Sequence, residues 1–401
     1  MIRSAIISCA VLLSVCSRAA AQTDTYSSDS DTIAYRYTPI ESDTPFAVEK
    51  QRKGFFHRLG DYIMRPADDV TQTGFSIFGG PSYSSETSLK LGVVALFAYR
   101  TRRDDSLSQP SDVSLSASAS ITGFYRVAAI GNTFFQAGRH RLIYDAEVMS
   151  QPTDFWGLGY EAAMYNPKSR YTAKRYGVSL RYRYELLRHT YIGVYADFIH
   201  TSAVGVHDAA AGYLGDARRR FNSAGIGAAL SYDSRDYTIN AYRGIYMSVE
   251  YIVRPQAVSN VASTLWQVTA TVDWYRALWR DCIMAVDLYG EFHSDSTPWL
   301  LRARLGDDSR MRGYYRGRFN GNNMLSAQLE LRQRIWNRLG CVAWVGAGNV
   351  FSDNDRFSWR KTLPNYGIGL RWEFKRRSNL RVDWGMGRKS NSFVLSINEA
   401  F

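Results

Sequence analysis

From about Gly74 onward the chain is written with a period of two, and that period decides what it can fold into. In the stretch MLSAQLELRQRI, Leu325, Ala327, Leu329, Leu331 and Ile335 share one side, against Ser326, Gln328, Glu330, Arg332 and Arg334 on the other. In NYGIGLRWEFK, Tyr366, Ile368, Leu370, Trp372 and Phe374 oppose Gly367, Gly369, Arg371, Glu373 and Lys375. KRYGVSLRYRYEL and GIYMSVEYIV repeat the pattern. Successive side chains of a strand point to opposite faces, so each stretch makes a strand with one apolar and one polar side. Alternation alone suits any half-buried antiparallel sheet. Here the polar side is heavily charged and the apolar side ends in Tyr, Trp and Phe. That suits a membrane barrel, with lipid outside, a polar lumen inside and aromatic girdles at both interfaces.

Composition agrees with this reading. Aromatic residues reach 14%, with 27 Tyr and 10 Trp. With 45% hydrophobic and 21% charged residues, a disordered or low-complexity chain is excluded. Beyond the N-terminal segment no apolar run reaches the roughly 18 residues of a spanning helix, which excludes a helical membrane protein. Strands are expected over 74–84, 88–99, 111–123, 124–136, 139–150, 170–186, 190–203, 219–233, 244–254, 264–277, 281–294, 323–336, 340–351, 364–375, 379–388 and 392–401. Tight turns (WRD, NRLG, RRSN) alternate with long connections at 151–169, 204–218, 295–322 and 352–363, the two-rimmed build of outer-membrane barrels. Pairing the last strand, SFVLSINEAF, with the first would close the barrel and remove both edges, and Phe401 is expected as a C-terminal barrel signal. The fold class is therefore all-β: a transmembrane antiparallel β-barrel of about 16 strands over 74–401, with a short N-terminal amphipathic helix.

Ahead of the barrel, Arg3, the apolar stretch Ala5–Val15 and the small residues Ala19, Ala20 and Ala21 read as a secretory signal peptide over 1–21. The apolar stretch is too short for a membrane anchor, and Val15 before Cys16 is too large for a lipoprotein signal. The net charge of +12 falls to +10 when Arg3 and Arg18 leave with the signal. Cys282 and Cys341 then remain, which is no disulfide framework, and an intervening strand is expected to hold them beyond disulfide reach. Residues 22–73 read as a polar periplasmic tail. Within it, Phe55, Phe56, Leu59, Tyr62 and Ile63 fall on one face of a short helix near 53–64, at a membrane surface or against a core.

The long connection LRARLGDDSRMRGYYRGRFNG carries the run Arg312-Gly313-Tyr314. Later strands read AQLELR and WVGAGNVF, an earlier turn reads YDSRDYTINAYRGIYMSVEY, and the chain finishes on NEAF. Together these resemble the barrel domain of the BamA/TamA family, also called the bacterial surface antigen family, over about 74–401. The resemblance implies a bacterial outer-membrane location and a loop folded back into the lumen, its arginine ion-paired to acids on the inner wall. Carried over, Arg312 with Gly313 and Tyr314 forms a loop lock, and Glu330 is its first partner. The period of two independently places Glu330 on the polar side of its strand. Where the family has a second acid this chain has Gly346, so Asp383 or Glu373 is the expected substitute. An alternative reading is an exposed arginine-rich loop binding lipopolysaccharide phosphates. Residues 22–73 hold no convincing POTRA domain, the periplasmic module that precedes such barrels.

No catalytic, cofactor or metal constellation stands out, so neither an enzyme nor a cofactor or metal is expected. The histidines are scattered without metal-ligand spacing, and GFSIF lacks the closing glycine of a nucleophile elbow. Asp273, Asp287 and Glu291 are expected to balance lumenal arginines. The resemblance implies a role in outer-membrane protein assembly, insertion or translocation by opening the seam between FSIFGGPSY and SFVLSINEAF, where Gly79 and Gly80 weaken the first strand. The competing reading is a passive pore or structural surface barrel, and a third is an outer-membrane enzyme. Expected partners are outer-membrane lipid and lipopolysaccharide, with unfolded client barrels or periplasmic assembly factors. Export excludes nucleic acid.

Overall fold

The computed structural model describes residues 74–401 apart from 102–110 and the single positions 137, 239, 354 and 376. The expected signal peptide, the polar tail and its helix lie outside the described residues. The strands are β1 (Gly74–Ser84), β2 (Ser88–Tyr99), β3 (Ser111–Ser120), β4 (Tyr125–Phe135), β5 (His140–Phe155) and β6 (Ser169–Leu187). They continue as β7 (Thr190–Val204), β8 (Arg220–Asp233), β9 (Gly244–Arg254), β10 (Leu265–Trp279), β11 (Cys282–His293) and β12 (Ala303–Leu305). The last six are β13 (Phe319–Gly321), β14 (Asn323–Trp336), β15 (Leu339–Phe351), β16 (Leu363–Lys375), β17 (Ser378–Gly387) and β18 (Ser390–Ile397). All but β12 and β13 form one closed barrel of 16 strands, each paired antiparallel to its sequence neighbour, with β11 next to β14 and β18 back against β1. The short β12–β13 ribbon stands apart from the wall.

The wall obeys the period of two. On β14, Leu325 and Leu329 are exposed on the outside, whereas Ser326, Gln328, Glu330 and Arg332 are buried inside. On β16, Tyr366, Ile368, Leu370, Trp372 and Phe374 are exposed around a buried Arg371. An apolar outer face with a polar interior is what lipid demands, and closure satisfies the backbone hydrogen bonds that lipid cannot.

One rim carries tight turns built alike. Between β6 and β7, β10 and β11, β14 and β15, and β16 and β17, the register slips by one residue. The turn then closes on a residue of positive φ: His189, Asp281, Asn337 and Arg377. Asn and Asp tolerate that left-handed conformation best among side chains. The β8–β9 connection on this rim is longer, at 234–243.

The opposite rim carries the long loops, which hold two seven-residue helices, α1 (Gly159–Tyr165) and α2 (Asp208–Leu214). The sequence reading missed both. Helix α1 packs Tyr160 and Ala163 onto Leu305, Met311, Tyr314 and Phe319 of the β11–β14 loop, making an apolar plug inside a polar lumen.

One expectation fails at the far end. β18 stops at Ile397 rather than running to Phe401. Asn398 takes φ +70°, its N–H donates to the Asn379 carbonyl at 2.7 Å, and the following residues turn inward. Phe401 packs against Ala241, Tyr275 and Ala285 instead of lying along the seam.

Candidate functional site

The β11–β14 loop folds back into the barrel and brings Arg312 to the inner wall, 0% exposed. Its Nη1 donates to Asp383 Oδ2 at 2.8 Å and its Nη2 donates to Glu330, both acids equally buried. The guanidinium lies over the Trp344 ring, 3.7 Å from its centre. Backbone bonds fix the loop around it. The Met311 N–H donates to Gln328 Oε1, the Gly313 N–H to Ser392 Oγ at 2.9 Å, and Asn365 donates to the Arg312 carbonyl. Tyr314 donates its hydroxyl to the Pro364 carbonyl and accepts from the Arg388 N–H at 2.7 Å.

Glycine is required at two of these positions by close backbone approach. Gly313 has φ +112°, and a Cβ there would come within 2.7 Å of the Met386 nitrogen. A Cβ on Gly385 would stand 2.6 Å from the Arg312 carbonyl carbon. Backbone against backbone leaves nothing flexible to move aside.

The sequence-expected residues Arg312, Gly313, Tyr314, Glu330 and Asp383 therefore meet in one place. Glu373 does not join them, and its assignment as second acid is corrected. It sits at the tight-turn rim, ion-paired to Arg334 at 3.4 Å and accepting the Arg377 N–H at 2.9 Å. Gly346 leaves no room for the missing acid, because Asn365 fills the space beside it.

Four partners were not foreseen as such. Arg332 pairs with Glu330 at 2.7 Å, Arg371 with Asp383 and with Glu399 at 2.7 Å, and Arg381 with Asp383 at 3.2 Å. Their inward parity was a signal, since Arg332 and Arg371 fall on the polar side of their strands. Elsewhere Arg310 donates to Asp287 at 2.7 Å, as lumenal charge balance requires, and Arg254 grips Asp197 with two bonds at 2.6 and 2.7 Å. The two cysteines both pair with Gln333 in the ladder, Cys282 from β11 and Cys341 from β15.

The loop is also tied to its own rim. The Arg316 N–H donates to Glu86 in the β1–β2 turn at 2.8 Å, and Arg318 donates to the Lys389 carbonyl at 2.9 Å. Burial, with Asp308 nearby, pushes the Glu86 carboxyl up to about 7.

The seam between β18 and β1 is thin. Only Tyr83 with Leu395 and Ser84 with Val394 are in register across it, whereas β1 pairs with β2 along all of Gly74–Ser84. Pairing stops just above Pro81, which has no N–H to donate, and above Gly80 and Gly79. Among the described residues the rest of β1 has no strand partner on this side.

At the tight-turn rim the β8–β9 connection crosses the mouth. Arg377, in the β16–β17 turn, donates to the Asn240 carbonyl at 2.8 Å and to Asp236 at 2.9 Å, and stacks on Tyr242 at 3.3 Å. With Phe401 beneath, the lumen is crossed at both ends.

A closed barrel with a lipid-facing apolar wall and its own loop pinned in the lumen by a buried arginine defines a bacterial outer-membrane barrel of the plugged type. Residues 105–401 match the Omp85 superfamily domain, and the chain belongs to that superfamily. No curated protein matches this chain in sequence. Among solved structures it is similar to BamA from Haemophilus ducreyi lacking POTRA domains 1–3, at 14% identity and TM-score 0.56, over 81% of this chain and 70% of that one. It is similar also to CdiB from Acinetobacter baumannii, at 14% identity and TM-score 0.55, over 82% of this chain and 60% of that one. CdiB from Escherichia coli gives 13% identity and TM-score 0.56, over 84% and 69%. At such identities these likenesses speak for the fold.

Proposed function

We propose that this barrel inserts or translocates other polypeptides at the outer membrane, through the β1–β18 seam, without covalent catalysis. The observation that carries the reading is the seam itself. Two residue pairs hold it, while the edge of β1 that no other described residue pairs offers backbone N–H and C=O groups to an incoming strand. In this reading Arg312 is a lock. It holds the β11–β14 loop against β14 and β17, the fifth and second strands from the seam, so the wall stays ordered while the seam opens. The plugged lumen argues for lateral exchange rather than conduction. Client strands are the proposed partners, with lipid and lipopolysaccharide around the wall.

The test is a pair of measurements on one sample of folded barrel in liposomes. An unfolded client barrel should become protease-resistant in its presence, with little ion conductance. Steady conductance without client insertion would favour a passive pore and defeat the proposal.

A further inference from the structure

We propose that the outer wall of β6 to β8, at the long-loop rim, binds the phosphorylated head of lipopolysaccharide. This site stands apart from the assembly reading. The long loops of such barrels face the cell exterior, so this rim meets the outer leaflet. Three rows of outward residues carry the inference. Val178 and Phe198 face each other across β6 and β7 and are exposed, as a lipid-facing wall requires. One row nearer the rim, Tyr176, His200 and Asn222 are in register, with the Tyr176 and His200 rings 5.3 Å apart and His200 bonded to Asn222. Tyrosine at that height suits a membrane interface. The next row holds Lys174, Ser202 and Arg220, again in register.

Apolar wall, aromatic layer and cations thus follow one another within about 13 Å along the strand. An amphiphile with acyl chains below and anionic groups on its head has the same order. Lys174 and Arg220 stand two strand spacings apart, about 9–10 Å, so a phosphate between them is within reach of both side chains. Neither pairs with an acid among the described residues. Lys168 and Arg170 flank them with more than half of each side chain exposed, sharing Asp154 at 3.2 and 2.9 Å. Asp154 is the one acid at the outward positions of this rim, and Asp216, exposed in the loop ahead of β8, pairs with none of these cations. Arg218 is exposed as well and gives one N–H to the Asn260 carbonyl at 2.8 Å. Cations gathered at the border of a low-dielectric wall repel one another, and an anion bound among them relieves that. The β1–β4 arc differs: its large exposed residues at this rim are Leu89, Ile121 and Tyr125, none charged. The basic arc lies across the barrel from the seam, β7 being the seventh of 16 strands counted from β1.

The experiment titrates the folded full chain in non-ionic detergent and reads binding by native mass spectrometry. Its three arms are diphosphoryl lipid A, the same glycolipid after enzymatic removal of its phosphates, and phosphatidylglycerol. Saturable binding of the diphosphoryl form is expected, with the other two at least about tenfold weaker. Lys174→Gln combined with Arg220→Gln should weaken the diphosphoryl arm by about tenfold, with heat-modifiable mobility reporting the fold. If that pair fails to fold, either substitution alone should still cost about threefold. Arg276→Gln combined with Arg280→Gln removes two exposed cations from the opposite rim and should leave binding unchanged. Equal binding of the dephosphorylated form or of phosphatidylglycerol, or the same affinity in the two paired variants, would overturn the proposal.

Discussion

Replacing Arg312 by Met keeps much of the side-chain volume and removes the charge, and the network around it sets the size of the effect. Breaking a buried ion pair usually costs about 3–5 kcal/mol, because the other charge is stranded. Here neither acid is stranded. Glu330 keeps Arg332 at 2.7 Å, and Asp383 keeps Arg371 and Arg381. What is lost is two charge-assisted hydrogen bonds, at about 1.5–3 kcal/mol each, and the stacking on Trp344, at about 1–2 kcal/mol. Much of that loss is offset because the cost of keeping a guanidinium out of water, several kcal/mol at 0% exposure, goes with the substitution. We therefore expect Arg312→Met to destabilise by about 2–3 kcal/mol. Glu330→Gln removes the acid that Arg312 and Arg332 share, and should cost more, about 3–5 kcal/mol. Urea unfolding of the barrel in lipid vesicles, followed by tryptophan fluorescence and heat-modifiable gel mobility, measures both. A double mutant should show coupling of at least about 1 kcal/mol. Strict additivity, or an Arg312→Met effect larger than that of Glu330→Gln, would refute the reasoning.

Three further outcomes follow from the same geometry. Gly385→Ala places a methyl against the Arg312 backbone and should destabilise by about 1–3 kcal/mol, seen as faster proteolysis within the β11–β14 loop. Glu86 has its carboxyl raised from 4.5 to about 7, so the folded state favours the proton. That contribution is full below pH 4.5 and is lost as pH rises through about 7, so amide exchange at Arg316, corrected for intrinsic rate, should speed up across that window. Glu86→Gln should flatten the response. Arg377→Ala removes the anchor of the β8–β9 connection at the tight-turn mouth, and single-channel recording should show larger or more frequent openings than in the unaltered barrel.

Much of this was legible before any coordinates. The alternation of Leu325 through Ile335 and of Tyr366 through Phe374 placed lipid and lumen on the correct sides, because a strand has one degree of freedom in that choice. The same parity put Glu330 inward, and the loop run Arg312-Gly313-Tyr314 marked its partner. The second acid was not legible. Asp383 and Glu373 both face inward, and which of them reaches Arg312 depends on height along neighbouring strands and on the path of a loop, neither of which a period reveals. The helices α1 and α2 were hidden for a related reason: seven residues give too few turns for a 3.6-residue period to stand out. The inward turn after Ile397 depends on a single positive φ at Asn398 and on Glu399 finding Arg371, a contact between residues far apart in sequence.

The seam is the working part of this proposal, and it can be tested by closing it. With Cys282 and Cys341 replaced by Ala, cysteines at Ser84 and Val394, which face each other across β1 and β18, can be oxidised to a disulfide. Client insertion into liposomes should stop in the oxidised barrel and return on reduction, with the barrel folded throughout. Insertion at an undiminished rate through the cross-linked seam would contradict the central claim.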